Sequence, residues 1–396
     1  MTGSQGALSD PRPREAATTL PVYGQLPFVP VSATGCDIVT TDGRHILDLY
    51  GGHAVAALGY GHPALIGAIS EQSSQLLFQS NAVALDVRAR AAEQLTKIAP
   101  EGLSRAFFVN SGAEANENAL RMACVVTGRS KILAITHGFH GRTAAAGAVT
   151  WNSQKWYGFP QAPFDVDFIA RDDCDAAREL IDRDVAAVIF EPVQGVAGAF
   201  DLAHDFVATL RDCTRKTGAL LIADEVQSGM GRSGWFFASE ALGVAPDILT
   251  SAKSLGGGIP CGAVLCSDDV APHFGPGDLG TTFGGGPVAA AAINAVIATI
   301  ESEGLLHNVR EREAQIREQC AVGPVQKIQG MGLLLGLVCD RPAVDVRDAL
   351  LEHDILTGTS ADPHVLRILA PLVLQAEHVD RLAHTLESIA TRHTKD

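Results

Sequence analysis

The sequence predicts an α/β protein whose central layer is a largely parallel sheet. Short apolar, strand-like runs alternate with helical patterns along the middle of the chain, which is typical of such a sheet. Polar motifs follow the ends of these runs, where ligands of parallel sheets bind. At 396 residues the chain is too long for one ordinary core, so we expect one large and one smaller domain.

The first predicted element is a β-hairpin. Two alternating apolar runs between Asp37 and Leu49 flank the dipeptide Asp42-Gly43, which is a strong turn signal. A small sheet near the N-terminus is therefore expected. Ahead of it, residues 1–20 are polar and contain prolines, and we expect this segment to be flexible.

Apolar runs farther along the chain predict the strands of the main sheet. They are Ala106–Val109, Lys131–Ile135, Ala186–Phe190, Ala219–Ala223 and Gly262–Cys266. After Pro287, an alanine-rich run without a breaker predicts a long helix to about Glu303. Charged helical patterns then alternate with short strands such as Gly332–Val338, which is typical of a second, smaller domain.

These patterns divide the chain into four expected segments. The flexible N-terminus covers residues 1–20, and residues 21–50 contribute to the small domain. A large domain follows at 51–287. A helical linker and the C-terminal small domain make up 288–396.

Charge and composition exclude several classes of function. The net charge of −15 argues against non-specific binding to nucleic acid or anionic membranes, which requires clustered basic residues. Hydrophobic residues make up 46% and charged residues 19% of the chain, and this balance favours an apolar surface covered by a second subunit. We find no uncharged apolar run of about 20 residues and no secretory signal, so we expect a cytoplasmic protein.

The eight cysteines show no Cys-x-x-Cys spacing and lie in mostly apolar surroundings. This pattern favours reduced, buried thiols over a disulfide framework or a metal site. The cysteines are Cys36, Cys124, Cys174, Cys213, Cys261, Cys266, Cys320 and Cys339.

A lysine and an acid follow two of the apolar runs. Lys253 comes after Asp247–Ala252 and precedes a glycine-rich turn, and Asp224 follows Gly218–Ala223. Both are therefore expected at one edge of the sheet. Pyridoxal phosphate (PLP) requires such a pair. A lysine amine forms a Schiff base with the cofactor, and a carboxylate keeps its pyridine nitrogen protonated. A solvated lysine and a helix-capping aspartate are the alternative for either residue alone.

The segment around Ser111 predicts the start of a helix after a strand. Ser111 and Glu114 fit a capping box, so the helix is expected to begin near Gly112. Free N–H groups and the positive end of the helix dipole suit a phosphate, although a capped structural helix explains the segment equally well. Thr281 and Thr282 precede the alanine-rich helix and offer hydroxyls to phosphate oxygens, or mark only its N-terminus.

A loop with an aromatic ring and an arginine follows Ile135. Phe139 can cover one face of an aromatic cofactor, and Arg142 can bind a substrate carboxylate through two parallel hydrogen bonds. Each of these residues alone is more often a core phenylalanine or a solvated arginine. The loop therefore predicts a binding site only when it is considered together with the other motifs.

Seven motifs in order resemble those of class III, PLP-dependent aminotransferases over roughly residues 20–390, most closely the acetylornithine and ornithine aminotransferase group. The motifs are Ser111–Glu117, Phe139–Thr143, Glu191–Gly195, Asp224–Gln227, Ala252–Ser254, Thr282–Gly285 and Leu366–Leu369. The resemblance implies the PLP-dependent transferase fold type I, with a large domain built on a mostly parallel mixed sheet, a smaller α+β domain and a homodimer.

The resemblance also implies roles around PLP. Lys253 forms the Schiff base and moves the proton during transamination, while Asp224 holds the pyridine nitrogen protonated. Burial beside the cationic ring is expected to lower the pKa of Lys253. Gly112, Ala113 and Thr282 would hold the phosphate, with Thr282 reaching in from a second subunit. Phe139 and Val226 would sandwich the ring, and Gln227 would lie near the phenolic oxygen. Further cofactor contacts are implied at Ser111 and Glu191.

Two arginines are implied for the substrates. Tyr23 and Arg142 match the pair that grips the α-carboxylate of an ornithine-like donor, with Thr281 nearby. Arg367 matches the arginine that binds the α-carboxylate of glutamate and 2-oxoglutarate. The implied reaction moves the ω-amino group of N-acetyl- or N-succinylornithine to 2-oxoglutarate, with arginine biosynthesis as the implied pathway.

One departure from the family concerns the choice of donor. Relatives of the ornithine type have a glutamate after the Glu191–Gly195 motif that can pair with the glutamate-binding arginine, and this chain has Val196. We therefore expect Arg367 to stay available and the donor to carry an extra carboxylate, as N-succinylornithine does. The alternatives are another donor, such as 4-aminobutyrate, a lysine derivative or a simple amine, and a relative that racemises or only binds PLP.

Overall fold

The computed structural model describes residues 10–392 and has the predicted α/β architecture. The strands are β1 (Pro30–Thr34), β2 (Asp37–Thr40), β3 (His45–Asp48), β4 (Leu103–Val109), β5 (Lys131–Ile135), β6 (Asp165–Ile169), β7 (Val185–Phe190), β8 (Val193–Gln194), β9 (Phe200–Asp201), β10 (Leu220–Asp224), β11 (Ile248–Ser251), β12 (Gly262–Ser267), β13 (Val325–Met331), β14 (Leu334–Cys339), β15 (Ile355–Leu356), β16 (Gly358–Thr359) and β17 (Val365–Ile368).

The helices lie between these strands and at both ends of the described chain. They are α1 (Arg12–Thr18), α2 (Gly51–Ala54), α3 (Pro63–Gln75), α4 (Asp86–Lys97), α5 (Gly112–Thr127), α6 (Ala144–Ala148), α7 (Cys174–Leu180), α8 (His204–Thr217), α9 (Ala238–Ala241), α10 (Pro287–Ser302), α11 (Leu305–Gln319), α12 (Ala343–Glu352) and α13 (Ala376–Arg392). Of the expected flexible segment 1–20, residues 1–9 lie outside the described residues, and α1 buries none of its side chains.

The main sheet has seven strands in the order β4-β12-β11-β10-β7-β5-β6. Neighbouring strands are parallel except where β12 pairs with β11 and with β4. This arrangement confirms the prediction of a mostly parallel, mixed sheet. All six residues of β7 are buried, as expected for a central strand covered on both faces.

The predicted elements lie close to their expected positions. The hairpin forms from β2 and β3, and Gly43 in its turn has a φ of 83°. The alanine-rich helix α10 begins at Pro287 and ends at Ser302. The edge strand β6 was not predicted, because Asp165 and Asp167 interrupt its apolar pattern.

Two four-stranded sheets lie outside the main sheet, in the orders β1-β2-β3-β15 and β13-β14-β17-β16. β15 pairs in parallel with β3, so the N-terminal hairpin shares a sheet with the C-terminal part of the chain. This pairing agrees with the expected contribution of residues 21–50 to a C-terminal domain, and the division into domains stays a prediction.

Helices cover the main sheet. α5 packs against β10, β11 and β12, and α8 packs against β7 and β10. α3 and α4 pack on α10, which buries most of its length. Among residues 10–392, no single helix is long and apolar enough to cross a membrane, and only α10 and α11 taken together, bent by 65°, meet those limits.

Candidate functional site

Lys253 and Asp224 lie beyond the ends of two adjacent parallel strands. Asp224 is the last residue of β10 and pairs with Thr250 of β11. Lys253 follows β11 by two residues and opens a short 3-10 helix with a φ of 45°, a strained conformation for a residue with a side chain. The chain therefore leaves the sheet at this lysine, next to the carboxylate.

The carboxylate of Asp224 is buried and fixed from three directions. Oδ2 accepts hydrogen bonds from Asn116 Nδ2 at 2.7 Å and lies 2.7 Å from His140 Nδ1, and Oδ1 accepts from the Val226 N–H at 3.0 Å. Asn116 is itself held, because Thr250 Oγ1 donates to its Oδ1 at 2.7 Å. Asp224 is 3% exposed, so this network fixes a carboxylate that has almost no contact with water.

Glu191 provides a second buried carboxylate in the same region. Its Oε1 accepts from the Phe139 N–H at 2.8 Å, and its Oε2 accepts from the Gly195 N–H at 3.3 Å. The pKa of Glu191 is raised to about 7, because burial and the nearby charge of Asp224 outweigh the opposing effects of His140 and Lys253. Glu191 thus joins the loop that carries Phe139 to the loop after β8.

Burial has the opposite effect on Lys253. It lowers the pKa of the Lys253 ammonium group from its ordinary value near 10.5 to about 8. The carboxylates of Asp224 and Glu191 raise this pKa, and the charge of Arg367 lowers it. These couplings show that the lysine, both acids and the arginine lie within electrostatic range of one another.

The predicted helix start at residue 112 is confirmed, with one difference in its cap. Ser111 Oγ accepts from the Glu114 N–H at 3.1 Å, as a capping box requires. Glu114 Oε2 instead accepts from the Asn110 N–H at 2.6 Å, one residue before the expected partner. The first N–H groups of a helix have no partner within it, so those of Gly112 and Ala113 can donate to an anion.

The start of α5 packs closely on the loop after β10. A Cβ atom at Gly112 would lie 2.7 Å from Val226 Cγ1, so only glycine fits at this position. In the same way, a Cβ atom at Gly195 would overlap the side chain of Gln227. Val226 and Gln227 thus lie close to the two loops predicted to line the site.

Thr281 and Thr282 have different surroundings. Thr281 Oγ1 accepts from Asn110 Nδ2 at 3.2 Å and from the Gly284 N–H at 3.1 Å, which joins this turn to the residue before Ser111. Thr282 is exposed, and the next residue, Phe283, is 65% exposed. Within one subunit, Thr281 is therefore tied to the helix start, whereas Thr282 faces outward.

Phe139 and Arg142 lie together, and an aromatic residue that was not predicted joins them. The Arg142 guanidinium carbon is 5.9 Å from the centroid of the Phe139 ring and 5.0 Å from that of Trp156. Arg142 is exposed and available to an anion. Tyr23, its expected companion, is 88% exposed, and no contact in the described chain brings it to Arg142.

Arg367 lies in β17 and is 8% exposed. Its Nε donates to the Thr359 carbonyl at 2.7 Å, its Nη1 to the Gly195 carbonyl at 3.2 Å and its Nη2 to Tyr50 Oη at 2.8 Å. All three acceptors are uncharged oxygens. Burial lowers the pKa of Arg367, with Tyr50 and Glu191 opposing the shift, and the guanidinium remains charged because its ordinary value is so high.

Several residues of the site were not assigned from the sequence. Asn116 lies on the second turn of α5, His140 follows Phe139, and Tyr50 precedes a glycine pair. For Asn116 and His140, the only available signal was a polar residue inside an otherwise recognised motif. Tyr50 carried no signal, because its contact with Arg367 joins residues 317 positions apart.

Comparison with known proteins places the chain in one family. The family model for aminotransferase class-III matches residues 20–390. An acetylornithine aminotransferase of Corynebacterium efficiens is 40% identical over 380 residues, which cover 93% of this chain and 94% of that protein. The acetylornithine aminotransferase of Mycobacterium tuberculosis strain H37Rv is 38% identical over 99% of both chains.

Solved structures of similar fold agree with this assignment. The ornithine aminotransferase of Toxoplasma gondii, described with partial occupancy of PLP at its active site, has a TM-score of 0.91 and 27% identity and covers 97% of this chain and 95% of its own. The acetylornithine aminotransferase of Elizabethkingia anophelis has a TM-score of 0.86 and 27% identity, covering 96% and 98%. The chain belongs to the class-III aminotransferase family.

Proposed function

We propose that this chain is a PLP-dependent aminotransferase that moves the ω-amino group of an N-acylated ornithine to 2-oxoglutarate, giving the semialdehyde and glutamate. The observation that carries the proposal is the lysine of lowered pKa beside a buried, fixed aspartate at the ends of β10 and β11. The class follows from the family, and the donor is inferred from relatives with 38–40% identity.

The residues present fit the cofactor. Gly112 and Ala113 offer N–H groups at the first turn of a 16-residue helix, which suits a phosphate. The close contact between Gly112 and Val226 brings the expected phosphate site next to a side chain predicted to cover the ring. When bound, PLP supplies an electron sink for the carbon that carries the amino group.

Each catalytic side chain has a task that its surroundings support. Because its pKa is lowered to about 8, a larger fraction of Lys253 Nζ is unprotonated at neutral pH than in an ordinary lysine, and this atom can accept and return a proton at the amino-bearing carbon of the substrate. Asp224 would face the cofactor's ring nitrogen, and its contacts with Asn116 and His140 hold its carboxylate in one orientation. Phe139 offers an aromatic face to the ring.

The two arginines are proposed to bind the substrate carboxylates. Arg142 is exposed and lies on the Trp156 ring, which orients its guanidinium without a competing carboxylate. Within residues 10–392, the hydrogen-bond acceptors of Arg367 are all uncharged, and the residue after Gly195 is Val196 rather than an acid. Both cations are thus available, in support of a donor with a second carboxylate such as N-succinylornithine.

The proposal includes a homodimer in which Thr282 reaches the phosphate of the partner subunit. Phe283 is 65% exposed and packs on Phe78, itself 42% exposed, with ring centroids 5.2 Å apart. Exposed aromatic pairs of this kind often mark a protein interface, and this one adjoins Thr282. A role in arginine biosynthesis is supported by the names of the relatives, and a cytoplasmic location completes the proposal.

A comparison of amino donors tests the proposed function. The purified enzyme with PLP is given N-acetylornithine, N-succinylornithine, ornithine or 4-aminobutyrate, each with 2-oxoglutarate, and glutamate formation is measured. We expect kcat/KM for an acylated donor to exceed that for ornithine and 4-aminobutyrate by about tenfold or more. Faster reaction with 4-aminobutyrate would contradict the proposed donor.

Two lysine variants provide the control. Lys253→Ala should abolish glutamate formation with every donor because the amine is lost. Lys216→Ala removes an exposed lysine on α8 and should leave the rates unchanged. A preference for the acetyl over the succinyl compound would refute the inference drawn from Val196, without affecting the aminotransferase assignment.

A further inference from the structure

The guanidinium of Arg367 has spare hydrogen-bonding capacity. An arginine carries five N–H groups, and the three described hydrogen bonds leave one N–H on Nη1 and one on Nη2. One N–H on each of two Nη atoms can bind a carboxylate through two parallel hydrogen bonds. The direction of these two N–H groups depends on the partners that hold the other N–H groups.

Tyr50 is the one side chain among these three partners. Its ring lies under the guanidinium, with 5.5 Å between the guanidinium carbon and the ring centroid, while its hydroxyl accepts from Nη2. The ring also packs directly on Gly358, which pairs with Arg367 across β16 and β17. A Cβ atom at Gly358 would overlap the Tyr50 ring. Tyr50 therefore contacts both the charged group and the strand beside it.

His53 determines how the Tyr50 hydroxyl is used. Its Nδ1 lies 3.0 Å from Tyr50 Oη, and the two rings are 4.6 Å apart. Desolvation, together with the charges of Arg367 and Lys253, lowers the pKa of His53 and favours the neutral ring. In the neutral tautomer that carries its proton on Nε2, Nδ1 accepts a hydrogen bond from the Tyr50 hydroxyl, which leaves a lone pair on the hydroxyl oxygen for Arg367.

The backbone that carries this pair is strained and anchored. Residues 51–54 all have positive φ, including 66° at His53 and 64° at Ala54, which have side chains. Asp48 Oδ1 accepts from the Tyr50 and Gly51 N–H groups, at 2.7 and 2.9 Å. Ser254, the residue after the lysine, donates its hydroxyl to the Ala54 carbonyl at 2.9 Å. Strain held in this way is typical of functional sites.

We propose that Tyr50, oriented by His53, is a positioning residue that aims the free N–H groups of Arg367 at a substrate carboxylate. A carboxylate in this position would compete with the substrate for the guanidinium, whereas the neutral hydroxyl aligns it without neutralising its charge. The inference rests on the proposed function in one respect: a carboxylate substrate binds at Arg367.

Removing one oxygen tests the inference. Tyr50→Phe keeps the ring and deletes the hydroxyl. Glutarate, a dicarboxylate that cannot react, is titrated by calorimetry into the PLP-loaded parent and variant enzymes. We expect the Kd of glutarate to be about tenfold higher in Tyr50→Phe, because one hydrogen bond to a charged group is lost. KM for 2-oxoglutarate should rise similarly, with kcat changed by no more than about twofold.

Tyr60→Phe is the matched control. Tyr60 donates its hydroxyl to Asp48 Oδ2 at 2.6 Å, so its loss weakens the anchor of the same turn without touching Arg367. We expect Tyr60→Phe to lower the thermal unfolding temperature and leave the glutarate Kd unchanged. An equal rise in Kd for both variants, or a change below about twofold in Tyr50→Phe, would overturn the positioning role.

A double-mutant cycle shows whether Tyr50 acts through the arginine. In an Arg367→Lys background, Tyr50→Phe should have no further effect on glutarate binding, because the hydroxyl then has no guanidinium to align. Additive losses would refute the inference. Because glutarate binding needs no turnover, an enzyme that binds it as expected but transfers no amino group would contradict the proposed function alone.

Discussion

At Lys253, the balance between burial and charge decides how much reactive amine is present. With its pKa at about 8, roughly a quarter of the lysine is unprotonated at pH 7.5, compared with about one part in a thousand for an ordinary lysine. Asp224 and Glu191 limit the shift, and burial exceeds their effect. The folded pKa lies below the unfolded one, so this group's contribution to the free energy of unfolding increases from pH 8 to about 10.5.

The pH dependence of Lys253 reactivity is the first prediction. In protein freed of cofactor, the rate of acylation of Lys253, followed by mass spectrometry of its peptide, should be half-maximal near pH 8. Exposed Lys216 in the same sample serves as the reference lysine. Asp224→Asn should lower the Lys253 midpoint because it removes a charge that raises the pKa. Identical profiles for the two lysines would refute the predicted shift.

The role of a single residue could be predicted where the chemistry requires a particular type of side chain at the end of a strand. Lys253 and Asp224 meet this condition, since each follows an apolar run and the two runs form adjacent strands. Asn116 does not, because its role is to bond Asp224, which is 108 positions away. Such a contact depends on which helix covers which strand, and a polar residue within a helix gives no sign of it.

Among the elements, α5 combines a structural cap with the proposed anion site. Ser111 Oγ holds the Glu114 N–H, and the neighbouring Gly112 and Ala113 N–H groups remain for phosphate. The positive end of the helix dipole adds to both interactions. Because the cap and the proposed phosphate site are adjacent, a charge placed at the cap acts directly on a bound phosphate.

Two substitutions at Ser111 should separate these roles. Ser111→Ala removes the cap and should cost about 1 kcal/mol in the free energy of unfolding, measured by urea denaturation. Ser111→Asp retains the cap but places a negative charge beside the phosphate, so stability should be kept while the Kd for PLP rises. If the aspartate variant binds PLP as tightly as the parent, the phosphate does not lie at this helix start.

Elements with a regular pattern and good caps were predictable, and those shaped by packing were not. α10 was recognised from Pro287 and an unbroken apolar run, and it ends at Ser302 near the expected residue. The turn at residues 51–54 escaped recognition, because left-handed φ values at His53 and Ala54 are unfavourable locally and depend on bonds from Asp48 and Ser254.

For the whole molecule, the central question is whether one subunit completes its own site. Lys253, Asp224 and Arg367 come from one chain and lie within electrostatic range of one another. Thr282 is exposed next to an apolar aromatic pair. The proposed homodimer would cover that pair and carry Thr282 to the partner's phosphate site.

Mixed dimers test this arrangement. Lys253→Ala and Thr282→Asp subunits, each nearly inactive alone, are unfolded together and refolded. Random refolding makes half of the dimers mixed. If Thr282 binds the phosphate in the partner subunit, each mixed dimer has one intact site out of two, so about a quarter of the parent activity returns. Sites completed within one chain would return none. Size-exclusion chromatography with light scattering confirms that the refolded species are dimers.

The contact between Tyr50 and Arg367 also has a consequence for the order in which the protein is made. The two residues are 317 positions apart, so a ribosome has synthesised nearly the whole chain before they can meet. Strands β4 to β12 are complete by residue 267, and the sheet with its lysine can form earlier. The carboxylate site at Arg367 therefore matures after the main sheet, and a truncated nascent chain can fold that sheet before this site exists.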